Sequence, residues 1–244
     1  MRSLAAAVSF LTRLPLGRLV SFDAADVARS AGWFPLVGLL VGAICAGAAF
    51  LLRAHLPLAL VAVILIAMDA LLTGALHFDG LADTADGFGG GKDRDDVLRI
   101  MRDHAIGSYG GTALVLLVGF KAAAYAALLG GDRWFVAVLL TPAMGRWSIL
   151  LLTAALPYAR KTASVVSDMS KGAVVWGTLI LAAAVAASRL WSAGAAAATA
   201  VMVSAYFGVY CRRKIGGITG DTLGANVQLC ECAALLAFLW TGGR

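Results

Sequence analysis

Apolar runs of similar length alternate with short polar segments along the chain. A helix that crosses a bilayer needs about 20 mostly apolar residues, with some tolerance for tilt. Seven segments approach this length, and two of them are short, so the expected number carries a margin of about one. The predicted spans are residues 33–52, 57–76, 111–130, 134–156, 173–187, 194–211 and 229–240. The pattern predicts an all-α fold, a polytopic bundle of membrane helices.

The N-terminal residues carry a shorter apolar pattern. Leu4, Val8, Leu11 and Leu14 recur near helical spacing, and arginines flank them. Such a segment is typical of a helix that lies on the membrane surface. Arg13 interrupts the apolar stretch and no small-residue cleavage site follows it, which argues against a signal peptide.

Composition supports one membrane domain over residues 1–244. Hydrophobic residues make up 61% of the chain and charged residues 14%, against roughly 45–50% and about 25% in soluble domains. The net charge of +6 comes from basic residues in short segments between apolar runs. We therefore attribute the charge to membrane topology and expect no nucleic-acid partner.

Three longer polar segments separate the spans, at about 77–110, 157–172 and 212–228. Together with the N-terminal segment they hold 14 of the 20 Lys and Arg residues, whereas the alternate connections hold 4. Cytoplasmic loops carry an excess of Lys and Arg. We therefore predict a cytoplasmic N-terminus, an odd number of spans, and an active site built on the cytoplasmic side from these three loops.

Four charged residues fall within or at the edge of apolar runs: Asp69, Lys121, Arg146 and Glu231. A charge at membrane depth costs several kcal/mol unless it is paired or hydrated. Asp69 and Lys121 fit a structural pair as well as a functional one. For Arg146 and Glu231 we favour a polar cavity that opens to the cytoplasm and binds substrate.

The segment that follows the second span carries an acidic pattern. Asp79, Asp83 and Asp86 are spaced i, i+4, i+7, so they share one face of a helix. Carboxylates crowded on one face repel each other unless a cation lies among them, and hard oxygen ligands suit Mg²⁺ or Mn²⁺. These three residues are the predicted metal ligands. Asp93, Asp95 and Asp96 alternate with basic residues and are expected to form only a solvated helix start.

Basic residues near these acids are suited to phosphate. Arg99 and Arg102 share a helix face, and arginine grips phosphate oxygens through two parallel hydrogen bonds. Asp103 lies beside them and could add to the metal site. The 212–228 segment combines three cations, several glycines and Asp221, which fits a phosphate cradle. A cytoplasmic anchor followed by a turn explains its cations equally well.

Four motifs in order resemble the cobalamin synthase family, the adenosylcobinamide-GDP ribazoletransferases, over nearly the whole chain. The motifs are Phe34-Pro35-Leu-Val-Gly38, His77-x-Asp79-Gly-Leu-Ala-Asp83-x-x-Asp86-Gly87, Met101-Arg102-Asp103-x-x-Ile-Gly107 and Gly220-Asp221-x-Leu-Gly224-Ala. The resemblance implies that adenosylcobinamide-GDP is joined to α-ribazole or its 5′-phosphate, with release of GMP. It also implies a Mg²⁺ cofactor and residence in the bacterial cytoplasmic membrane.

A mechanism follows as a hypothesis. The ribose 3′-hydroxyl of α-ribazole attacks the phosphorus attached to cobinamide, while arginines stabilise the leaving GMP. Arg102 is the first candidate for that task, then Arg99 and Arg146. Candidates for the catalytic group that accepts the hydroxyl proton are Asp103, Asp221, His77 and His104.

Two other classes compete with this reading. A CDP-alcohol phosphotransferase also carries an aspartate-rich helix, with the motif Asp-Gly-x-x-Ala-Arg. Here Asp79-Gly80 is followed by Leu-Ala-Asp83, and no arginine stands where that motif needs it. A transporter would explain the intramembrane charges, yet transporters often show repeated halves and this sequence has no evident repeat.

Overall fold

The computed structural model describes residues 2–14, 22–103, 105–160 and 170–241, and confirms an all-α membrane bundle. These residues contain no β-strand. The helices are α1 Arg2–Leu11, α2 Ala24–Ser30, α3 Phe34–Leu52, α4 Leu58–Thr73, α5 Leu76–Gly90, α6 Arg94–Ile100, α7 Ser108–Leu129, α8 Trp134–Ala155, α9 Lys171–Ser188, α10 Trp191–Ile215 and α11 Gly220–Thr241. His104 and Lys161 lie outside the described residues.

The number of spans agrees with the prediction of seven within its margin. In the described part of the chain, six helical stretches are long and apolar enough to cross a membrane, and the pair formed by α4 and α5 would make a seventh. The first stretch runs from Ala25 to Leu52 without a large bend. The two spans predicted as short are complete helices, since α9 has 18 residues and α11 has 22.

Helix α8 lies at the centre of the bundle, and most of its residues are buried. It packs most extensively against α3, and also against α9, α10 and α11. Gly38 and Gly42 of α3 face the backbone of α8 so closely that a Cβ at Gly38 would lie 2.5 Å from the Pro142 carbonyl oxygen. Small residues therefore bring these two helices into backbone contact, as is common between membrane helices.

The junction between α4 and α5 turns the chain sharply. Gly74 closes α4 in the left-handed conformation with φ 64°, and Ala75 follows with φ 58°. The two helices meet at 92°. Helix α5 then packs against the first turns of α7 and α11 and the end of α10. Helices α5 and α6 occupy most of the polar segment at 77–110, which agrees with the helix faces expected there.

The three polar segments predicted to share one side do meet. Tyr158 and Ile218 form a parallel bridge between the segment after α8 and the turn after α10. Arg94 of α6 donates hydrogen bonds to the carbonyl oxygens of Ile215 and Ala159, which ties α6 to both. The predicted loop at 212–228 is wrong, since only residues 216–219 separate α10 from α11.

The N-terminal helix α1 is confirmed as a helix, and it packs on the bundle. Val8 and Leu11 are buried, and α1 contacts α2 and α3. Beyond it, the backbone amide of Arg13 donates a hydrogen bond to the carbonyl oxygen of Leu72, near the end of α4. This contact holds the end of α1 beside the α4–α5 junction.

Candidate active site

Two glycines bring α5 against α11 at the polar end of the bundle. A Cβ at Gly80 would lie 2.7 Å from the carbonyl oxygen of Asp221 and 3.1 Å from the Cα of Gly224. A Cβ at Gly224 would lie 3.3 Å from the Cα of Gly80. The helices can cross this closely only because neither residue has a side chain. The crossing places Asp79, which precedes Gly80, next to the first turn of α11.

Three carboxylates gather around this crossing. Asp79 is exposed, while Asp83 and Asp221 are partly buried. Partial burial, together with the neighbouring carboxylates of Asp79 and Asp221, raises the pKa of Asp83 to about 6. Within the described residues, the side chains of Asp79 and Asp83 accept no hydrogen bond. This excess of negative charge is the kind that a bound cation relieves.

Arg160 is the cation nearest to these acids, and the sequence did not single it out for the site. One of its terminal nitrogens donates a hydrogen bond to Asp221 Oδ2 at 2.9 Å, and both side chains are largely buried. The hydroxyl of Thr219 donates to the same carboxylate oxygen at 3.3 Å. Arg160 and Asp221 are 61 positions apart, so no local spacing could have revealed the pair.

Asp86, the third predicted metal ligand, is committed elsewhere. Its two carboxylate oxygens accept hydrogen bonds from the backbone amides of Gly107, at 2.7 Å, and Gly110, at 2.8 Å. These amides belong to the unpaired N-terminal groups of α7, so Asp86 caps that helix. Within the described residues, no three acidic, histidine or cysteine side chains lie close enough to form a metal site by themselves. The structure therefore does not bring the three predicted ligands together.

Replacement of Asp86 by Ala is expected to destabilise the protein by about 1–3 kcal/mol, because the buried amide of Gly110 and the partly buried amide of Gly107 lose their acceptor. The loss should appear as a lower melting temperature in detergent. Activity of the protein that stays folded, and the concentration of Mg²⁺ that half-saturates it, should change little. A strong rise in that Mg²⁺ concentration without loss of stability would instead make Asp86 a metal ligand.

A polar cleft lies beside the acids. Its volume is about 450 Å³, and arginines from α6 and from the segments after α6 and α8 line it: Arg94, Arg99, Arg102 and Arg160. Arg102 is exposed and forms no ion pair within the described residues. Arg99 pairs with Asp96 at the surface at 2.6 Å. Arg102 is therefore available to bind a phosphate. Arg99 is also available, because a surface ion pair is weak and Arg99 can exchange Asp96 for a phosphate.

The acidic residues before and after α6 form hydrogen bonds with nearby backbone amides. Asp93 accepts hydrogen bonds from the backbone amides of Asp95 and Asp96 and so caps α6, which confirms the expected helix start. Asp103 is exposed, and its carboxylate accepts a hydrogen bond from the backbone amide of Ala105. Its part in catalysis or metal binding stays a prediction.

A smaller cavity of about 140 Å³ also borders Asp221. Its polar side chains are Asp79, Asp221 and His77, and the rest of its lining is glycine and apolar side chains. His77 is 2% exposed, and neither ring nitrogen has a hydrogen-bond partner among the residues that the structure describes. Burial and the guanidinium of Arg146 lower the pKa of His77 to about 3, so it is a weak base at neutral pH.

Arg146 and Glu231 form part of a buried charge network with Asp69 and Lys121. Arg146 binds Asp69 at 2.9 Å and also Glu231, and Lys121 binds Glu231 and lies 3.8 Å from Asp69. All four side chains are almost fully buried. The two cations and two anions balance, as membrane depth demands. The structure pairs these residues with each other, and their predicted role in substrate binding stays a prediction.

The fold and this site define a class. The protein is a multi-pass membrane protein whose polar end combines clustered carboxylates, an arginine-lined cleft and an adjacent apolar cavity. Such a combination suits transfer chemistry at a phosphate or diphosphate.

Comparison with known proteins gives the particular family. Residues 3–239 match the family described as cobalamin-5-phosphate synthase, and the chain belongs to that family. A protein of Rhizobium etli (strain CIAT 652) is 41% identical, and the match covers 96% of this chain and 94% of that protein. Proteins of Sinorhizobium medicae and Leptothrix cholodnii are each 37% identical, over 95% and 96% of this chain and 93% of their own length. All three are named adenosylcobinamide-GDP ribazoletransferase. No solved structure matches the chain.

Proposed function

We propose that this protein is an adenosylcobinamide-GDP ribazoletransferase whose reacting centre lies between Asp79, Asp83 and Asp221. The family match and the names of the relatives support the reaction, which joins adenosylcobinamide-GDP to α-ribazole or its 5′-phosphate and releases GMP. One observation supports this location: Asp221 lines the apolar cavity, and its ion-pair partner Arg160 lines the cleft with the other arginines. Each substrate then has its own compartment, and the carboxylates lie between the two.

The site fits a Mg²⁺ ion, although it does not enclose one. Mg²⁺ is usually held by one or two carboxylates together with substrate phosphates and water, in place of a complete protein cage. Asp79 and Asp83 meet this requirement. They lie one turn apart on the same face of α5, and their carboxylates have no other partner within the described residues. We propose these two as ligands, with Asp221 near enough to contribute. When bound, Mg²⁺ would neutralise diphosphate oxygens and so favour attack at phosphorus.

The arginines of the cleft are proposed to hold the diphosphate of adenosylcobinamide-GDP. Arg102, and Arg99 after release from Asp96, would donate to the oxygens of the GMP portion as it leaves. Arg94 has a structural task, since it already binds two carbonyl oxygens. Arg160 orients Asp221 and adds positive charge at the boundary between the two compartments.

Asp221 is the residue best placed to accept the proton of the attacking hydroxyl. It lines the cavity, and through Arg160 it adjoins the cleft. The 3′-oxygen of ribazole forms a bond to the phosphorus attached to cobinamide, and the bond from that phosphorus to the oxygen of GMP breaks. The hydroxyl proton passes to Asp221. The low pKa of His77 argues against His77 for this step.

We further propose that the site faces the cytoplasm of a bacterial inner membrane. Support comes from the 14 Lys and Arg residues assigned to the side of the site, against 4 on the other side. Substrates that carry several charges are also handled more readily in the cytoplasm than within lipid.

Reconstitution of the purified full-length protein tests the function. With adenosylcobinamide-GDP, α-ribazole and Mg²⁺, the protein should release GMP and form a cobalamin product in equal amounts. Omission of α-ribazole should stop GMP release, which separates transfer from hydrolysis. Release of CMP from a CDP-alcohol, or solute uptake without product, would support the two competing classes instead.

The need for Mg²⁺ should depend on pH. Because the pKa of Asp83 is raised to about 6, protons compete with the metal for this carboxylate as the pH falls through that value. The Mg²⁺ concentration that half-saturates GMP release should be nearly constant above pH 7 and rise by up to about tenfold per unit below pH 6. Titrations of Mg²⁺ at fixed substrate measure it. A half-saturating concentration that is independent of pH would show that Asp83 is not a ligand.

A further inference from the structure

The cavity beside the carboxylates is built for an aromatic ligand. Phe10 and Phe34 lie in its wall with their rings stacked at a centroid distance of 5.9 Å, and Leu11, Ile149 and Leu223 add apolar surface. Its volume is about 140 Å³. An engineered apolar cavity of about 150 Å³ holds benzene, so the enclosed space takes one ring of a fused aromatic system, and the rest of such a ligand extends beyond it.

One buried polar side chain in the cavity lacks a partner within the described residues. Both ring nitrogens of His77 are buried and form no hydrogen bond within the described residues. A buried polar group without a partner costs free energy and is uncommon in folded proteins. Because His77 lines the cavity, a ligand atom that accepts a hydrogen bond there would satisfy it. The ligand therefore combines a flat apolar ring with one acceptor.

We propose that the cavity binds the dimethylbenzimidazole base of ribazole, with His77 donating a hydrogen bond to the ring nitrogen that is not bonded to ribose. This assignment rests on the proposed function. The base has no hydrogen-bond donor once it is glycosylated, which suits walls made of Phe10, Leu11 and Leu223. Its two methyl groups add apolar surface. With the base inside, the ribose reaches the rim at Asp79 and Asp221, where its 3′-hydroxyl must react.

The other substrate suits the cavity less well. Guanine presents several donors and acceptors along its edges, and the buried part of the cavity supplies only His77 to satisfy them. The carboxylate of Asp221 is already engaged by Arg160. The arginine-lined cleft, in contrast, has the charge that a nucleoside diphosphate requires.

Selectivity for the ring nitrogen is the direct test. Reconstituted wild-type protein is assayed for GMP release with benzimidazole riboside and with indole riboside, in which carbon replaces that nitrogen. We expect kcat/KM to fall on the order of tenfold for the indole compound, because His77 loses its acceptor. In His77→Leu, the KM for α-ribazole should rise by a similar factor, the two ribosides should become equivalent, and the KM for adenosylcobinamide-GDP should stay within about twofold.

A second variant guards against loss of folding in His77→Leu. Phe10 is 38% exposed, so Phe10→Ala is expected to fold and to raise the KM for α-ribazole alone. Phe50→Ala removes a phenylalanine that is 69% exposed and remote from the cavity, and it should change neither KM. A rise in the KM for adenosylcobinamide-GDP in place of that for ribazole would overturn the assignment.

The outcomes separate this assignment from the function on which it rests. Absence of GMP release by wild-type protein with either riboside or with α-ribazole would reject the proposed function. Normal wild-type turnover, with the preference for benzimidazole over indole kept in His77→Leu, would reject only the place of the base.

Discussion

Replacement of Asp83 by Asn is expected to reduce GMP release by about 10²–10⁴-fold while the protein stays folded. Asn keeps the size and shape of the side chain but removes the charge that would bind Mg²⁺. Asp83 has no hydrogen-bond partner within the described residues, and its raised pKa shows that its charge is unfavourable in the folded protein without metal. Removal of that charge should therefore leave the melting temperature unchanged or slightly raise it.

The matched control is Asp132→Asn, which removes an exposed carboxylate from the turn between α7 and α8, away from the arginine-lined cleft. It should retain near-normal turnover and Mg²⁺ dependence. Purified variants would be compared by initial rate of GMP release over a range of Mg²⁺ concentrations, and by thermal unfolding in the same detergent. Near-normal activity of Asp83→Asn at low Mg²⁺ would refute the metal assignment. A large fall in melting temperature would refute the claim that the residue serves chemistry alone.

The arrangement of the membrane helices follows closely from the sequence, because a lipid solvent imposes a simple rule on length and polarity. The places where the prediction was wrong are those where helices continue beyond the apolar part. Helix α11 begins at Gly220, nine residues before the predicted span, and includes Asp221. A helix that emerges at a polar face loses its apolar pattern while its backbone continues, so hydropathy alone cannot locate its end.

The acidic stripe shows a different limit. Its period placed Asp79, Asp83 and Asp86 on one helix face, yet the partners of that face change along its length. Asp79 and Asp83 lie near α11, whereas Asp86 lies against the first turn of α7. Gly107 and Gly110 permit this contact, since a Cβ at either would clash with the Asp86 carboxylate. The close approach that these glycines allow is made by a side chain of the protein itself.

Charges at membrane depth show the same limit. Spacing along the chain could suggest that Asp69 and Lys121 pair, but not that Arg146 and Glu231 join them. The four come from α4, α7, α8 and α11. Gly145 leaves the space that Glu231 fills, since a Cβ there would lie 2.8 Å from the Glu231 side chain. Long-range contacts of this kind are set by the packing of the bundle, which the sequence does not display.

Replacement of Arg146 by Met is expected to destabilise the protein by about 3–5 kcal/mol, the cost of leaving a buried charge without its partner. Two carboxylates, Asp69 and Glu231, would then share the single cation Lys121 in the buried interior of the bundle. Simultaneous replacement of Asp69 by Leu removes the unbalanced charge and leaves the pair of Lys121 with Glu231. The double variant should therefore be more stable than Arg146→Met alone. If the two replacements acted independently, their destabilising effects would add and the double variant would be less stable.

Thermal unfolding in detergent measures both effects, with a fall on the order of 10 °C expected for Arg146→Met. Arg99→Met is the control, because Arg99 belongs to an exposed ion pair with Asp96, which contributes about 0–1 kcal/mol. The alternative from the sequence, that Arg146 binds substrate, gives a different result. Arg146→Met would then keep its melting temperature and raise the KM for adenosylcobinamide-GDP, and the Asp69 replacement would restore nothing. Recovery of stability in the double variant thus distinguishes a charge network that holds four helices together from a substrate site.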